Sequence, residues 1–360
     1  MYTAIANITQ HQDTVNCLGF SDDGVFLASG DDSGLLVISR TEDPKKYDKY
    51  HLADSITCLV WIPGSQSLYV GLANCDVNLI FLEEERAYRL KFHPPGYDDM
   101  AQDLKSITQV NCLSFDPYHS RLAVGVGSMM VVASIPDLRS NKYNEECVII
   151  PEDRASKKNS MLLKSLPAEV RSVHFIEEGQ QIVVTYLEEG IRCYGIHDRK
   201  EMWRIVPKSY RIGRSTLDSQ MRFIVCSNLY NGFNVYSIRK KAYHRTFIHE
   251  TSEENNVILP ILFIHDDDDV LLGSAFGQVT VRSIWGDGST TLDHGDDMIQ
   301  AIAFTDALKS GCYIATACAE KGLETYIRLW LQMDEEGTIP SILRRTLSSL
   351  IYIQQCASQY

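Results

Sequence analysis

The chain has 360 residues, 44% hydrophobic and 22% charged, which is enough to bury a substantial core, and no Pro/Gly/Ser-rich tract divides it into separate domains. A net charge of −13 sets the overall field against phosphate, so no nucleic-acid partner is expected. No run reaches the roughly 18 apolar residues of a membrane-spanning helix, and MYTAIANITQHQD lacks the charged-then-apolar pattern of a secretory signal.

Tyr2–Ile8 is the first strand-like segment. The stretch TVNCLGFSDDGVFLASGDDSG (14–34) then reads as two short strands around a tight turn, and its rhythm returns at 56–76 and 110–130 with most letters changed. The template is an aliphatic residue, any residue, a small one, an aliphatic, any, and an aromatic. Val15–Phe20, Ile56–Trp61, Val110–Phe115, Val170–Phe175 and Ile299–Phe304 fit it. Ile258–Phe263 fits apart from Pro260, and Ile212–Leu217 is the degenerate member. The starts at 15, 56, 110, 170, 212, 258 and 299 are separated by 41, 54, 60, 42, 46 and 41 residues. A second strand follows each start (LASG, LYVG, LAVG, IVVT, FIVC, VLLG, IATA), and then a third (LLVIS to TYIRLWL). Turn signals such as Asp22-Asp23-Gly24 and Tyr230-Asn231-Gly232 lie between them.

These strands are apolar or small on both faces. They therefore belong in sheets covered on both sides, and repetition at this period points to the blades of a β-propeller. The expected fold is all-β: seven four-stranded blades over residues 1–333, with segment 2–8 supplying the outer strand of the last blade. Phe20, Trp61, Phe115, Phe175 and Phe304 are the expected plugs between blades.

The first unit resembles the WD-repeat family. His11 stands at the family's histidine position before the strand, FSDDGVFLASGDDSG is similar to its hallmark run, and Tyr326-Ile327-Arg328-Leu329-Trp330 resembles its terminal strand. The resemblance implies structural roles for His11, Ser29 and Trp330 in a His–Ser–Asp–Trp hydrogen-bond set. Ser39 replaces the tryptophan in the first unit, so the set is incomplete there. It also implies a non-catalytic scaffold for protein or peptide partners.

Beyond the ring, residues 334–360 form an extension. Ile339, Ile342, Leu343, Leu347, Leu350 and Ile351 recur at helical spacing and predict a short C-terminal amphipathic helix over 341–355. It packs on the propeller, binds a partner, or lies on a membrane surface.

Two insertions, 93–108 and 151–168, lengthen the links between outer and inner strands, where loops on a rigid scaffold carry function. Tyr97, Arg154, Lys157, Lys158, Met161, Leu162 and Leu163 are the candidate partner-binding residues. The chain has no G-x-S-x-G, P-loop, H-E-x-x-H or G-x-G-x-x-G. The acidic run His265–Asp269 falls at a turn, and His294 falls at the family's structural histidine position. No catalytic, cofactor-binding or metal-binding residue is nominated. An enzyme or metal-dependent binder using the central channel is the alternative reading. Ten dispersed cysteines without a C-x-x-C pair fit reduced thiols in the cytosol or nucleus.

Overall fold

The structure, a computed structural model, describes residues 1–84, 86–93, 108–135, 142–150, 169–249, 257–319, 321–322 and 325–332. The helix expected over 341–355 lies outside the described residues. Among those described, twenty-eight strands form seven four-stranded antiparallel sheets.

β1 (Tyr2–Ile8) precedes the first blade, which is β2 (Val15–Phe20), β3 (Phe26–Asp31), β4 (Leu35–Arg40) and β5 (Tyr47–His51). The second is β6 (Ile56–Trp61), β7 (Ser67–Leu72), β8 (Asp76–Phe81) and β9 (Arg86–Lys91). The third is β10 (Val110–Asp116), β11 (Arg121–Val126), β12 (Met129–Ser134) and β13 (Asn144–Ile149). The fourth is β14 (Val170–Ile176), β15 (Gln181–Tyr186), β16 (Gly190–Gly195) and β17 (Glu201–Ile205). The fifth is β18 (Ser215–Leu217), β19 (Phe223–Ser227), β20 (Gly232–Ser237) and β21 (Ala242–Ile248). The sixth is β22 (Ile261–Ile264), β23 (Asp269–Leu272), β24 (Gln278–Ser283) and β25 (Ser289–Asp293). The seventh is β26 (Ile299–Thr305), β27 (Tyr313–Cys318) and β28 (Ile327–Gln332), with β1 as its outer strand.

β1 runs antiparallel to β28, from Tyr2 opposite Gln332 to Ile8 opposite Ile327. The two ends of the ring are thus held by one ladder, which leaves no open seam between the first and last blades. Tyr2 also bonds sideways, its hydroxyl lying 2.7 Å from His265 Nε2 in the turn of the sixth blade.

The core is divided into seven apolar layers, one between each pair of neighbouring blades. Each layer includes the sixth residue of a repeat. Phe20 packs with Ala303, Tyr313 and Leu329 of the seventh blade, and Trp61 packs with Leu36 and Ile38 of the first. Phe115, Phe175, Leu217, Phe263 and Phe304 take the same place in the other five layers. Only the volume and apolar character of this plug are constrained, which lets its identity drift along the chain. Trp61 is nearly buried, stacks on Phe26, and donates its indole N–H to the Gly19 carbonyl at 2.9 Å. A Cβ on Gly19 would meet Leu59 Cδ1 at 2.6 Å, so glycine there lets the second blade close on the first.

A second contact repeats nearer the axis. The first residue of an inner strand presses onto a glycine of the preceding blade: Ile56 onto Gly30, Val110 onto Gly71, Val170 onto Gly125 and Ile299 onto Gly273. The third residue of the earlier blade's own repeat unit (Cys17, Cys58, Cys112, Pro260) packs on the same glycine. In these four blades the position is therefore kept compact, which explains the third place of the template.

Two outcomes test this construction. Trp61→Ala should cost roughly 3–5 kcal/mol in urea unfolding, the range for removing a large buried aromatic side chain; a loss under about 1 kcal/mol would remove Trp61 from the interblade layer. Deleting residues 1–10 should lower Tm by roughly 10 °C or more, because the seventh blade loses its outer strand and the ring its closing ladder; an unchanged Tm would refute closure by β1.

Candidate functional site

In five blades the inner-strand ladder shifts register directly after the first residue: at Val15/Cys17, Ile56/Cys58, Val110/Cys112, Val170/Ser172 and Ile299/Ala301. A bulge of this kind releases one residue from pairing and re-aims its side chain. The released residues are Asn16, Thr57, Asn111, Arg171 and Gln300, and all five line the mouth of the central channel. The mouth is a cavity of about 220 Å³, with room for several waters. Packing does not dictate these side chains, since they leave the blade interior.

The ring of released residues staples blade to blade. Asn16 Nδ2 donates to Ile56 O at 3.0 Å, and Thr57 Oγ1 donates to Val110 O at 2.5 Å. Gln300 Nε2 lies 3.4 Å from Asn16 Oδ1. Asp32 receives Asn16 Nδ2 at 2.7 Å and Ser55 Oγ at 3.0 Å, with Lys321 Nζ at 3.4 Å. The series then stops. Asn111 Nδ2 and Arg171 Nε are buried and find no hydrogen-bond partner among the described residues. Arg171 does pair with Glu169 through Nη2 at 3.0 Å. Burial pushes the Glu169 carboxyl up, against the pull of Arg171 and Asn111. Burial likewise pulls the Arg171 guanidinium down, opposed by Glu169 and reinforced by Arg214.

The channel wall below the mouth is built from the third residues of the inner strands, among them Cys17, Cys58, Cys112, Ser172 and Ala301. Burial pushes the Cys58 thiol up to about 12 and raises Cys17 and Cys112 as well, so these thiols stay neutral. The fifth blade breaks the pattern. Its second residue is Gly213, and its third is Arg214, which lines both the mouth and the wall. Arg214's charge is felt by all three thiols across the channel. Among the described residues its guanidinium has no ion pair.

Two of the histidines named from sequence, His11 and His294, are buried in hydrogen-bond networks. His11 Nδ1 lies 2.7 Å from Asp31 Oδ2, and its Nε2 lies 2.7 Å from Ser29 Oγ, all three being buried. Ser39 is buried as well, at the place the family gives to tryptophan. The seventh blade holds the complementary half. Trp330 Nε1 donates to Thr316 Oγ1 at 3.0 Å, and His294 Nδ1 lies 2.6 Å from the same oxygen. Thr316 Oγ1 also lies 3.5 Å from Arg328 O, so this network puts the His294 proton on Nδ1. Its buried Nε2 is left bare. The acidic run forms a turn in which His265, Asp266 and Asp267 have positive φ, and His265 Nδ1 bonds Asp269 at 2.8 Å. Among the described residues no three His, Cys, Asp or Glu side chains are grouped to hold a metal ion. Tyr97, Arg154, Lys157, Lys158, Met161, Leu162 and Leu163 lie outside the described residues. The chain enters and leaves their insertions at Phe92–His93 and Thr108–Gln109, and at Ile150 and Glu169.

The family described as WD domain, G-beta repeat matches residues 2–38. That match runs from β1 through most of β4, so the sequence repeat begins on the seventh blade and ends on the first. No curated protein matches the chain. The chain is a seven-bladed β-propeller with a WD-type repeat at its ring closure.

Burial lowers the His294 pKa to about 4, with a further push from Arg328. Protonation is thus easier in the unfolded chain, where histidine titrates near 6.5. The stability His294 contributes is complete above about pH 6.5 and declines as pH falls toward 4. Between pH 7 and pH 5 the wild type should lose about 2 kcal/mol more than His294→Gln, measured by urea unfolding at each pH. Equal losses would show that His294 is not held neutral.

Proposed function

We propose that this degenerate WD-repeat propeller is a non-catalytic interaction scaffold of the cytosol or nucleus, which offers one face of its ring to protein or peptide partners. The reading is carried by the arrangement of that face. The 93–108 and 151–168 insertions both join an outer strand to the next inner strand, β9 to β10 and β13 to β14. Such links lie on the side where inner strands begin, which is also the side of the polar channel mouth. The described ends of both links, at Phe92–His93 and Thr108–Gln109 and at Ile150 and Glu169, thus share one side of the ring with a set of polar side chains, the arrangement from which propellers recognise partners. The basic and apolar residues of 151–168 (Arg154, Lys157, Lys158, Met161, Leu162, Leu163) supply both charge and contact area to a docking surface.

Affinity capture from native cytosol tests this, comparing the intact chain with a variant whose 151–168 segment is replaced by a Gly-Ser link. The variant should keep the wild-type Tm and lose specific partners that the intact chain recovers. Recovery of the same partners by both chains would remove the loop from the proposal. Failure of the intact chain to recover any would count against the scaffold reading itself.

A further inference from the structure

The channel mouth is polar all round, yet its hydrogen bonding is finished on one side only. On the first-blade side Asp32 is met by Asn16, Ser55 and Lys321, and Asn16 and Thr57 reach the next blade's carbonyls. Across the ring, on three consecutive blades, the donors Asn111 Nδ2 and Arg171 Nε lack partners, and Arg214 is unpaired among the described residues. A buried donor without an acceptor is costly, so Asn111 and Arg171 on adjacent blades call for a common explanation, and Arg214, partly exposed on the next blade, adds an unpaired charge beside them. Charge points the same way. Two guanidinium groups, Arg171 and Arg214, line this half of the mouth, and of the two only Arg171 is ion-paired among the described residues, with Glu169.

Arg214 makes the argument specific. In the other six units its position holds Cys17, Cys58, Cys112, Ser172, Pro260 or Ala301, the small residues that line the channel. Ring packing asks for a small side chain there and gives no reason for a long cationic one. Gly213, beside it, is the only glycine at the second position of any unit. A Cβ on Gly213 would meet Ser227 Oγ at 2.2 Å, so at this blade the polar contribution to the mouth comes from Arg214.

We propose that the channel mouth at the third to fifth blades is a binding site for a phosphate-class oxyanion, held by Arg214 and Arg171 with Asn111 as a third donor. Arginine suits the role because its planar fork offers several N–H groups to an oxyanion, and because it remains cationic where water is scarce. The anion supplies acceptors to all three unpartnered donors and relieves the mutual repulsion of the two guanidiniums. Asn111 is oriented for this, since its Oδ1 is taken by Gln109 Nε2 at 3.2 Å and its amide nitrogen, which stands near the Glu169 carboxylate and pulls on it, makes no hydrogen bond within ordinary range among the described residues. The assignment does not rest on the scaffold reading, because a free anion and an anionic group on a partner meet the same three donors.

Isothermal titration calorimetry with the full chain tests it, at ionic strength matched with sodium chloride. The probes are inorganic phosphate, a short phosphoserine peptide, and the same peptide unphosphorylated. Arg214→Ser is the discriminating variant, because it installs the small residue the ring accepts at this position in the fourth unit; its Tm reports that the ring is intact. Phosphate or the phosphopeptide should bind the wild type, and R214S should weaken that binding by about tenfold or more. Binding of phosphate itself marks a free-anion site, whereas binding of the phosphopeptide but neither phosphate nor the unmodified peptide marks a site for a modified chain. The proposal is overturned if neither phosphorylated probe binds, if R214S binds as the wild type does, or if the unmodified peptide binds as well as the phosphopeptide.

Discussion

Everything in this molecule depends on the antiparallel pairing of β1 with β28. A four-stranded blade with two apolar faces is not stable alone, since each face needs a neighbour. In an open row the two end blades would each leave a face exposed. Because β1 comes from the N-terminus and β28 from the end of the repeats, their ladder converts the row into a ring. Ile8 on β1 shares an apolar layer with Ala301, Tyr313 and Leu329 of the seventh blade and with Val15 and Leu27 of the first. One strand therefore completes a sheet and a core layer together. The same pairing explains why the WD-type match spans 2–38: the repeat is out of phase with the blade by one strand.

Closure fixes the channel width, and a fixed width makes size the ruling variable near the axis. The glycines at 30, 71, 125 and 273 admit the first residue of the next blade, and the small third residues complete the contact. Nothing in this arrangement needs a particular functional group. Cysteine, serine and alanine serve equally well, and the thiols at 17, 58 and 112, raised by their surroundings, are neutral fillers.

The architecture was legible in the sequence for this reason. Packing writes a period of aliphatic, small and aromatic residues, and the starts at 15, 56, 110, 170, 212, 258 and 299 each open or immediately precede an inner strand. His11, Ser29 and Trp330 were legible through the WD resemblance, though the hydrogen-bond set they imply is split. The first blade has the His–Ser–Asp portion and the seventh has the tryptophan, with Thr316 in place of the serine. The channel mouth was not legible. Its side chains occupy the template's second position, which reads as unconstrained because a bulge takes it out of the packed blade. Bulges depend on backbone geometry, and no residue type marks these five. One signal was available in Arg214, a long cation at a place every other unit keeps small. The fifth unit's departure from the rhythm read as decay of the repeat, yet its arginine is the residue least explained by packing.

A chain carrying −13 and an anion-seeking mouth are compatible because the two statements concern different distances. Charges on the outer strands and turns lie in water, where salt screens them over about 8–10 Å. The donors of Arg171, Arg214 and Asn111 lie together at the axis, partly withdrawn from solvent, where an interaction a few ångströms long is several times stronger than in bulk water. The acidic exterior governs solubility and which macromolecules approach; the local donors govern what stays bound. A closed ring suits this division, since it holds side chains from three blades in one constellation without a loop having to fold around the ligand, so little ordering entropy opposes binding.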